Sequence, residues 1–223
     1  PPGRTGRHGP SGSVYPDRVS ADHGSRRSAQ DLESLLAFET LIADLSSRFM
    51  DLPPDEVDRE VEDGLRRVCE PLGIDLSVLW QWSAAAPGVI VPTHAYCAEE
   101  GLRPTDPMRQ DQYPWSVEQV LAGRLITASS IEDLPAEAAV DRETCRRFGI
   151  QSALCIPLSV GGEPPVGALG FNTLHAEREW PDPLVKRLQL VAQVLANALS
   201  RRRSDEALRA SETRLSLAMD AAE

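Results

Sequence analysis

Four cysteines, four histidines and a small set of aromatic side chains are the groups in this 223-residue chain able to react or to hold a ligand. The thiols are Cys69, Cys97, Cys145 and Cys155. None forms a CxxC pair, and no histidine stands near one at zinc-ligand spacing. The pattern therefore predicts no metal site and no disulfide framework, and reduced thiols are the default. In the central pair, Cys145 packs beside Phe148 on a helix and Cys155 is a strand residue. His94 could ligate haem or a metal, or be an ordinary hydrogen-bonded strand residue. Trp80 and Trp82 share a face with Val78 and could stack a ligand or fill a core. Trp115 follows Pro114 in a loop, where pockets over a sheet are commonly lined. With Tyr96, Tyr113, Cys155 and Asn172 these form the candidate ligand-contacting set. No residue is assigned a catalytic role, and no particular cofactor is specified.

Phosphotransfer machinery is missing from the pattern. There is no GxGxxG or GxxxxGK[ST] cradle. No histidine sits in a helical dimerisation motif with a following acid. The acids Asp55, Glu56, Asp58, Glu60, Glu62 and Asp63 spread around a helix, as a solvated face does. The formal net charge is −11. In residues 1–30 five Arg face two Asp, so that stretch is +3 and the remainder is −14. An acidic body repels phosphate, which disfavours nucleic acid and anionic lipid as partners. The longest uncharged run, 76–98, is broken by Gln81, Pro87, Gly88, Pro92 and His94 and alternates like strands, so no membrane span is predicted. No secretory signal is present in residues 1–30, and a cytoplasmic location is expected. A start at Pro1 and a stop at Glu223 inside a helical pattern suggest a fragment of a longer protein.

The elements that must position these groups follow from periodicity. Residues 1–30, rich in Gly, Pro, Ser and Arg, read as a disordered leader. Leu35, Phe38, Leu41, Ile42, Leu45 and Phe49 form one helical stripe. A stop at 51–54 precedes a second helix with Val57, Val61, Leu65, Val68 and Leu72 on one face and the pairs Glu62/Arg66 and Asp63/Arg67 on the other. At 74–82 the period changes to two, and 89–97 completes an antiparallel hairpin. A polar loop over 98–112, a short helix over 114–121, a strand at 124–128 and a helix over 135–148 follow. Strands over 150–160 and 166–173 flank a Gly161-Gly162 turn. Pro181 opens a long helix in which Leu184, Leu188, Val191, Leu195 and Ala198 repeat as a coiled-coil seam. Residues 201–205 shift its phase, and Leu208, Leu215 and Met219 resume the pattern.

These residues resemble a known family. The stretch 148–162 (FGIQSALCIPLSVGG), then 166–171 (VGALGF), is similar to the closing hairpin of a GAF domain. The opening 73–82 (GIDLSVLWQW) resembles the first strand of that fold, and 178–199 resembles the exit helix of GAF sensors in bacterial signalling proteins. Tyr113-Pro-Trp before a short helix fits the same subgroup. Residues 207–222 resemble the linker and first helix of a PAS domain. The resemblance implies an α+β fold, with a central antiparallel sheet, terminal helices on one face, and loops and short helices on the other. It divides the chain into a leader (1–30), a sensory domain (31–180), an exit helix (181–203) and the start of a truncated PAS-like domain (204–223).

It also implies a non-catalytic sensory module of a sensor histidine kinase in a two-component system. Such a module binds a small ligand or partner and forms a homodimer through its terminal helices. Asn172 is followed by Thr173, which departs from the Asn-Lys signature of cyclic-nucleotide binders. Neither Cys97 nor Cys145 has the histidine neighbour of bilin-attaching GAF domains. Cys145 occupies a place comparable to the catalytic cysteine of the GAF-like free methionine sulfoxide reductases, which implies a nucleophile there with Cys155 able to resolve a disulfide, but their Gly-Val-Cys-Gly and Pro-Gly-His stretches are missing. A ligand-free dimerisation scaffold and that reductase are the two alternatives.

Overall fold

The computed structural model describes residues 18–83, 85–99 and 103–220. The chain divides into two compact units, residues 1–40 and 41–223. The described part of the first is helical. It belongs to α1 (Arg18–Asp51), which continues into the second unit. This helix begins well inside the stretch expected to be an aperiodic leader. Pro16 is the last proline before Pro53, so nothing between them removes a helical N–H. The rest of the leader, residues 1–17, lies outside the described residues.

In the second unit α2 (Val57–Leu72) ends on Gly73, whose φ of +60° gives the left-handed cap that returns N–H groups to the Cys69 and Glu70 carbonyls. A six-stranded antiparallel sheet then forms from β1 (Leu76–Trp82), β2 (Val89–Cys97), β3 (Met108–Arg109), β4 (Ile126–Ala128), β5 (Ser152–Leu158) and β6 (Gly167–Thr173). Its order is β3-β2-β1-β6-β5-β4. β3 arises within the expected polar loop and pairs with Val89 and Ile90. Two residues carry too little alternation to be read as a strand. Between β3 and β5 lie α3 (Pro114–Leu121) and α4 (Ala139–Arg147). Gly161 and Gly162 both adopt positive φ in the β5–β6 turn, which a tight hairpin requires.

Register fixes the two faces. Leu79 opposes Leu169 and His94, and Leu169 opposes Ile156, so these share one face with Leu154, Leu158 and Phe171. All are buried. They meet Val61, Leu65 and Val68 of α2 and Leu188, Val191, Leu195 and Leu199 of α5 (Asp182–Asp220), all likewise buried. Burial of large aliphatic side chains like these contributes about 1.5–3 kcal/mol each. The stripe read as a seam between two chains is therefore the stripe by which α5 docks on its own sheet. Leu188, Val191, Leu195 and Ala198 are buried and Leu184 is half-buried. A helix lying on a sheet needs the same three-and-four spacing as a coiled coil, so sequence alone does not separate the two. α5 runs unbroken through residues 201–205, and from Arg203 to Arg214 nearly every side chain is exposed. Leu215 and Met219 have side chains outside the described residues.

The helix pairs also differ from the expected ones. Arg67 bonds Asp44 of α1 at 2.6 Å, and Glu62 bonds Arg103. Arg66 takes Asp63 and Glu70.

Candidate functional site

The second face of the sheet lies under α3, α4 and their loops. Leu76, Val78, Trp80 and Trp82 of β1 project there with Ala168, Gly170 and Asn172 of β6 and Ala153 and Cys155 of β5. Over β5 and β4 this face is filled. Val120, Ile126, Ile131, Leu134, Ala138, Cys145 and Ile150 form a buried cluster, and Trp82, Tyr113, Trp115 and Cys155 pack against it. Over β1 and β2 a smaller cluster of Leu76, Val78 and Ala95 carries the half-buried Trp80, Cys97 and Leu174.

Of the eight candidate residues, six lie on this face or in the segment above it: Trp80, Trp82, Tyr113, Trp115, Cys155 and Asn172, with Trp115 in the first turn of α3 rather than in the loop expected for it. Trp82 Nε1 donates to the Pro165 carbonyl at 2.9 Å, which ties the ring to the β5–β6 connection. Trp80 is pinned at its backbone, since a Cβ on Gly167 would lie 2.0 Å from the Trp80 carbonyl oxygen. Tyr113 precedes α3 and packs against the cluster that contains Cys145, and burial pushes its hydroxyl well above the usual tyrosine range. Asn172 stands between Leu76 and Ala153.

His94 and Tyr96 lie on the opposite face. A bulge between Leu79 and Trp80 leaves Thr93 unmatched, so Val91 and His94 fall on one face where simple alternation would separate them. His94 packs under α2, with Nε2 2.7 Å from Asp58 Oδ1 and Nδ1 3.0 Å from Thr93 Oγ1. No third metal-binding group joins it. Among the described residues, no three His, Cys, Asp or Glu stand together as a metal site would require.

The thiols are held as thiols. Burial raises Cys145 to about 11 and Cys155 to about 12, with the nearby Asp141 and Cys145 respectively adding to the rise. Burial raises Cys69 to about 12 as well. A thiolate nucleophile needs the reverse, a lowered pKa in an electropositive and accessible setting.

Sequence reasoning missed Asp141. It is buried on α4 and accepts the backbone N–H groups of Trp115 at 3.2 Å and Ser116 at 2.7 Å. These are first-turn donors of α3, so the carboxylate caps a helix from outside it. A signal was present: Asp141, Thr144 and Cys145 share the buried face of α4, and an acid on such a face needs partners. Also missed were Arg201, which donates to the Met50 and Leu52 carbonyls at the end of α1, and Arg202, which donates to Asp58. Among the described residues these are the last side-chain hydrogen bonds from α5 to the rest of the domain. An open surface depression of about 390 Å³ lies at the sheet's far edge, lined by Ser129, Ser130, Asp133, Glu177, Arg178 and Glu179. Its mixed charges favour no single ligand. No helix among the described residues is long and apolar enough to cross a membrane.

A GAF domain family model matches residues 56–199, more than half the chain. Solved structures of the same fold include the phycocyanobilin-bound GAF domain of a cyanobacterial phytochrome, at 14% identity and TM-score 0.62, covering 75% of this chain and 96% of that one. Another is the GAF domain of a protein described as a sensor histidine kinase from Pseudomonas syringae pv. tomato, at 21% and 0.55, covering 81% and 99%. A third is the GAF domain region of a protein described as a membrane protein from Geobacter sulfurreducens PCA, at 21% and 0.54, covering 65% and 93%. Identities this low establish the shared fold alone. No curated protein matches the chain.

Proposed function

Because the chain belongs to the GAF family, we propose that it is the sensory module of a two-component signalling protein. On this reading it takes up a small ligand or partner over the face beneath α3 and α4. The change then passes to α5. The observation that carries the reading is the sheet itself. One side of β1, β5 and β6 holds the aromatic and thiol candidates, and the other side of β5 packs on α5, whose Leu188, Val191 and Leu195 are buried. A displacement at Cys155 therefore has one strand to cross before it reaches the exit helix. We assign the parent a cytoplasmic sensor histidine kinase architecture, with residues 204–223 leading into a PAS-like domain.

Homodimerisation through the terminal helices is part of the proposal, with one change. The buried stripe of α5 is occupied by its own sheet, so contact falls to its outer side, where Leu190 and Leu208 are exposed. The raised thiols of Cys145 and Cys155 speak against the sulfoxide reductase alternative and for a non-enzymatic module.

A second reading draws on the filled cluster over β5 and β4. Packing already completed by the chain's own side chains suits a ligand-free dimerisation scaffold. Native mass spectrometry of the purified chain, with an absorption spectrum on the same sample, separates the two. A stoichiometric added mass or a visible band supports the sensor. A bare dimer mass, with no small molecule shifting the melting temperature, overturns it in favour of the scaffold. A bare monomer mass overturns the dimer assignment.

A further inference from the structure

His94 is 2% exposed, on the side of the sheet away from the candidate ligand face. Four groups form a line through it. Thr93 Oγ1 lies 3.2 Å from the Leu79 carbonyl oxygen and 3.0 Å from His94 Nδ1. His94 Nε2 lies 2.7 Å from Asp58 Oδ1, and Arg202 Nη1 of α5 donates to that same oxygen.

Protons can be counted along this line. The Leu79 carbonyl and the Asp58 carboxylate only accept, and Thr93 has one proton to give. In a neutral ring with its proton on Nε2, that N–H donates to Asp58. Nδ1 is then a lone pair that takes the Thr93 proton away from the Leu79 carbonyl. In an imidazolium both ring nitrogens donate, and Thr93 Oγ1–H is free to bond Leu79. The ring's charge thus decides whether Thr93 is fastened across the bulge next to Trp80. At the other end, a second cation arrives at the oxygen that holds Arg202.

We propose that His94 is a proton-operated latch: protonating it weakens the hold of Asp58 on Arg202 and frees α5 beyond Arg201, while fastening Thr93 to the bulge beside Trp80. The surroundings are suited to this. From α2 the charged groups facing the ring are Asp58 and Glu62, and from α5 the group is Arg202. β1 carries no charged residue, and β2 adds Thr93 and Tyr96. Arg202 Nε makes no hydrogen bond, with Glu206 at 3.5 Å on the same helix, so Asp58 is its anchor on the domain. Burial holds His94 below the ordinary histidine value, against the opposing pull of Asp58, and Arg202 pushes it in the same direction as burial. The latch is therefore closed at neutral pH and opens on acidification. The inference needs no ligand, so it stands or falls separately from the sensory reading.

Coupling of this kind is reciprocal. If protonated His94 loosens Arg202, removing Arg202 must make His94 easier to protonate. The test is an NMR titration of the His94 ring in this chain, with amide hydrogen exchange followed across residues 196–206, between about pH 8 and pH 5. Two results are expected. Protection at 200–206 falls about fivefold or more as the ring protonates, and Arg202→Gln shifts the ring's titration to higher pH. In His94→Gln the protection at 200–206 should not change with pH. Protection that ignores the ring's titration in the wild type, or a ring titration unmoved by Arg202→Gln, overturns the proposal. The ring titration uses the wild type and Arg202→Gln, so it decides the matter even if His94→Gln does not fold.

Discussion

Asp141 Oδ1 on α4 accepts the backbone N–H of Ser116 on α3 at 2.7 Å, so a carboxylate shielded from water joins the two helices that cover this face of the sheet. Its second oxygen takes Trp115 N–H at 3.2 Å, and Thr144 Oγ1 donates to the Gln112 carbonyl beside it. Asp141→Ala leaves two first-turn donors without a partner in a buried setting. The expected cost is about 2–3 kcal/mol, read as a lower midpoint in urea unfolding. Because α3 positions Tyr113 and Trp115, the same variant should loosen the cover over Cys155, read as faster exchange of α3 amides.

On α5, Leu195 and Leu190 are five residues apart and lie on opposite sides. Leu195→Ala empties a fully buried site and should cost about 2–5 kcal/mol. Leu190, 55% exposed, should lose no more than about 0.5 kcal/mol on the same change. If α5 instead used the Leu188–Leu195 stripe to hold a second chain, Leu195→Ala would dissociate a dimer and leave the monomer's melting temperature unchanged. Thermal unfolding combined with light scattering distinguishes these outcomes.

Stability should decline on mild acidification. Burial depresses His94, outweighing the upward pull of its bond to Asp58. The unfolded chain therefore binds the proton first as pH falls. This contribution is complete above the ordinary histidine value of about 6.5 and is lost as pH drops from there towards the lower native value, by up to about 1.4 kcal/mol per pH unit. His94→Gln should flatten the unfolding free energy across that window. Asp58 adds a separate loss at lower pH. Burial raises its carboxyl, but the bonds from His94 and Arg202 outweigh this and hold it below the carboxylate range. Its stabilisation is thus present above about pH 4 and fades as pH falls further.

Thiol labelling should be uneven. Cys69, Cys145 and Cys155 are raised to about 12, 11 and 12 by burial. Cys97 is half-buried at the end of β2. Iodoacetamide at pH 7.5, followed by peptide mass spectrometry, should modify Cys97 first and Cys145 only on unfolding. Fast labelling of Cys145 in the folded chain would restore the thiolate chemistry its position first suggested.

The α+β class, five of the six strands and all five helices were legible in the sequence, because each shows a period of two or 3.6 over enough residues to be seen. β3 was not, since Met108–Arg109 has no period of its own and exists only through pairing with Val89 and Ile90. The shared face of Trp80 and Trp82 was legible because β1 alternates with a period of two, whereas Trp115 sits in the first turn of α3 and not in a loop. Asp58 and Arg202 were not findable, as each is a charged residue on a helix full of charged residues, and 144 positions separate them.

What the sequence determined by itself is the alternation: which side chains of β1, β5 and β6 point together, which stripe of α5 is apolar, and that a GAF-like order of elements results. What only the tertiary structure decided is what meets those faces. Periodicity states that Leu188, Val191 and Leu195 need an apolar partner, but a sheet of the same chain and a helix of another satisfy that need equally. The choice came from the sheet's own unmatched leucines. Likewise one unmatched residue, Thr93, turned His94 away from the face that carries Trp80 and Cys155 and under α2. A bulge arises from pairing between strands, and no single strand records it.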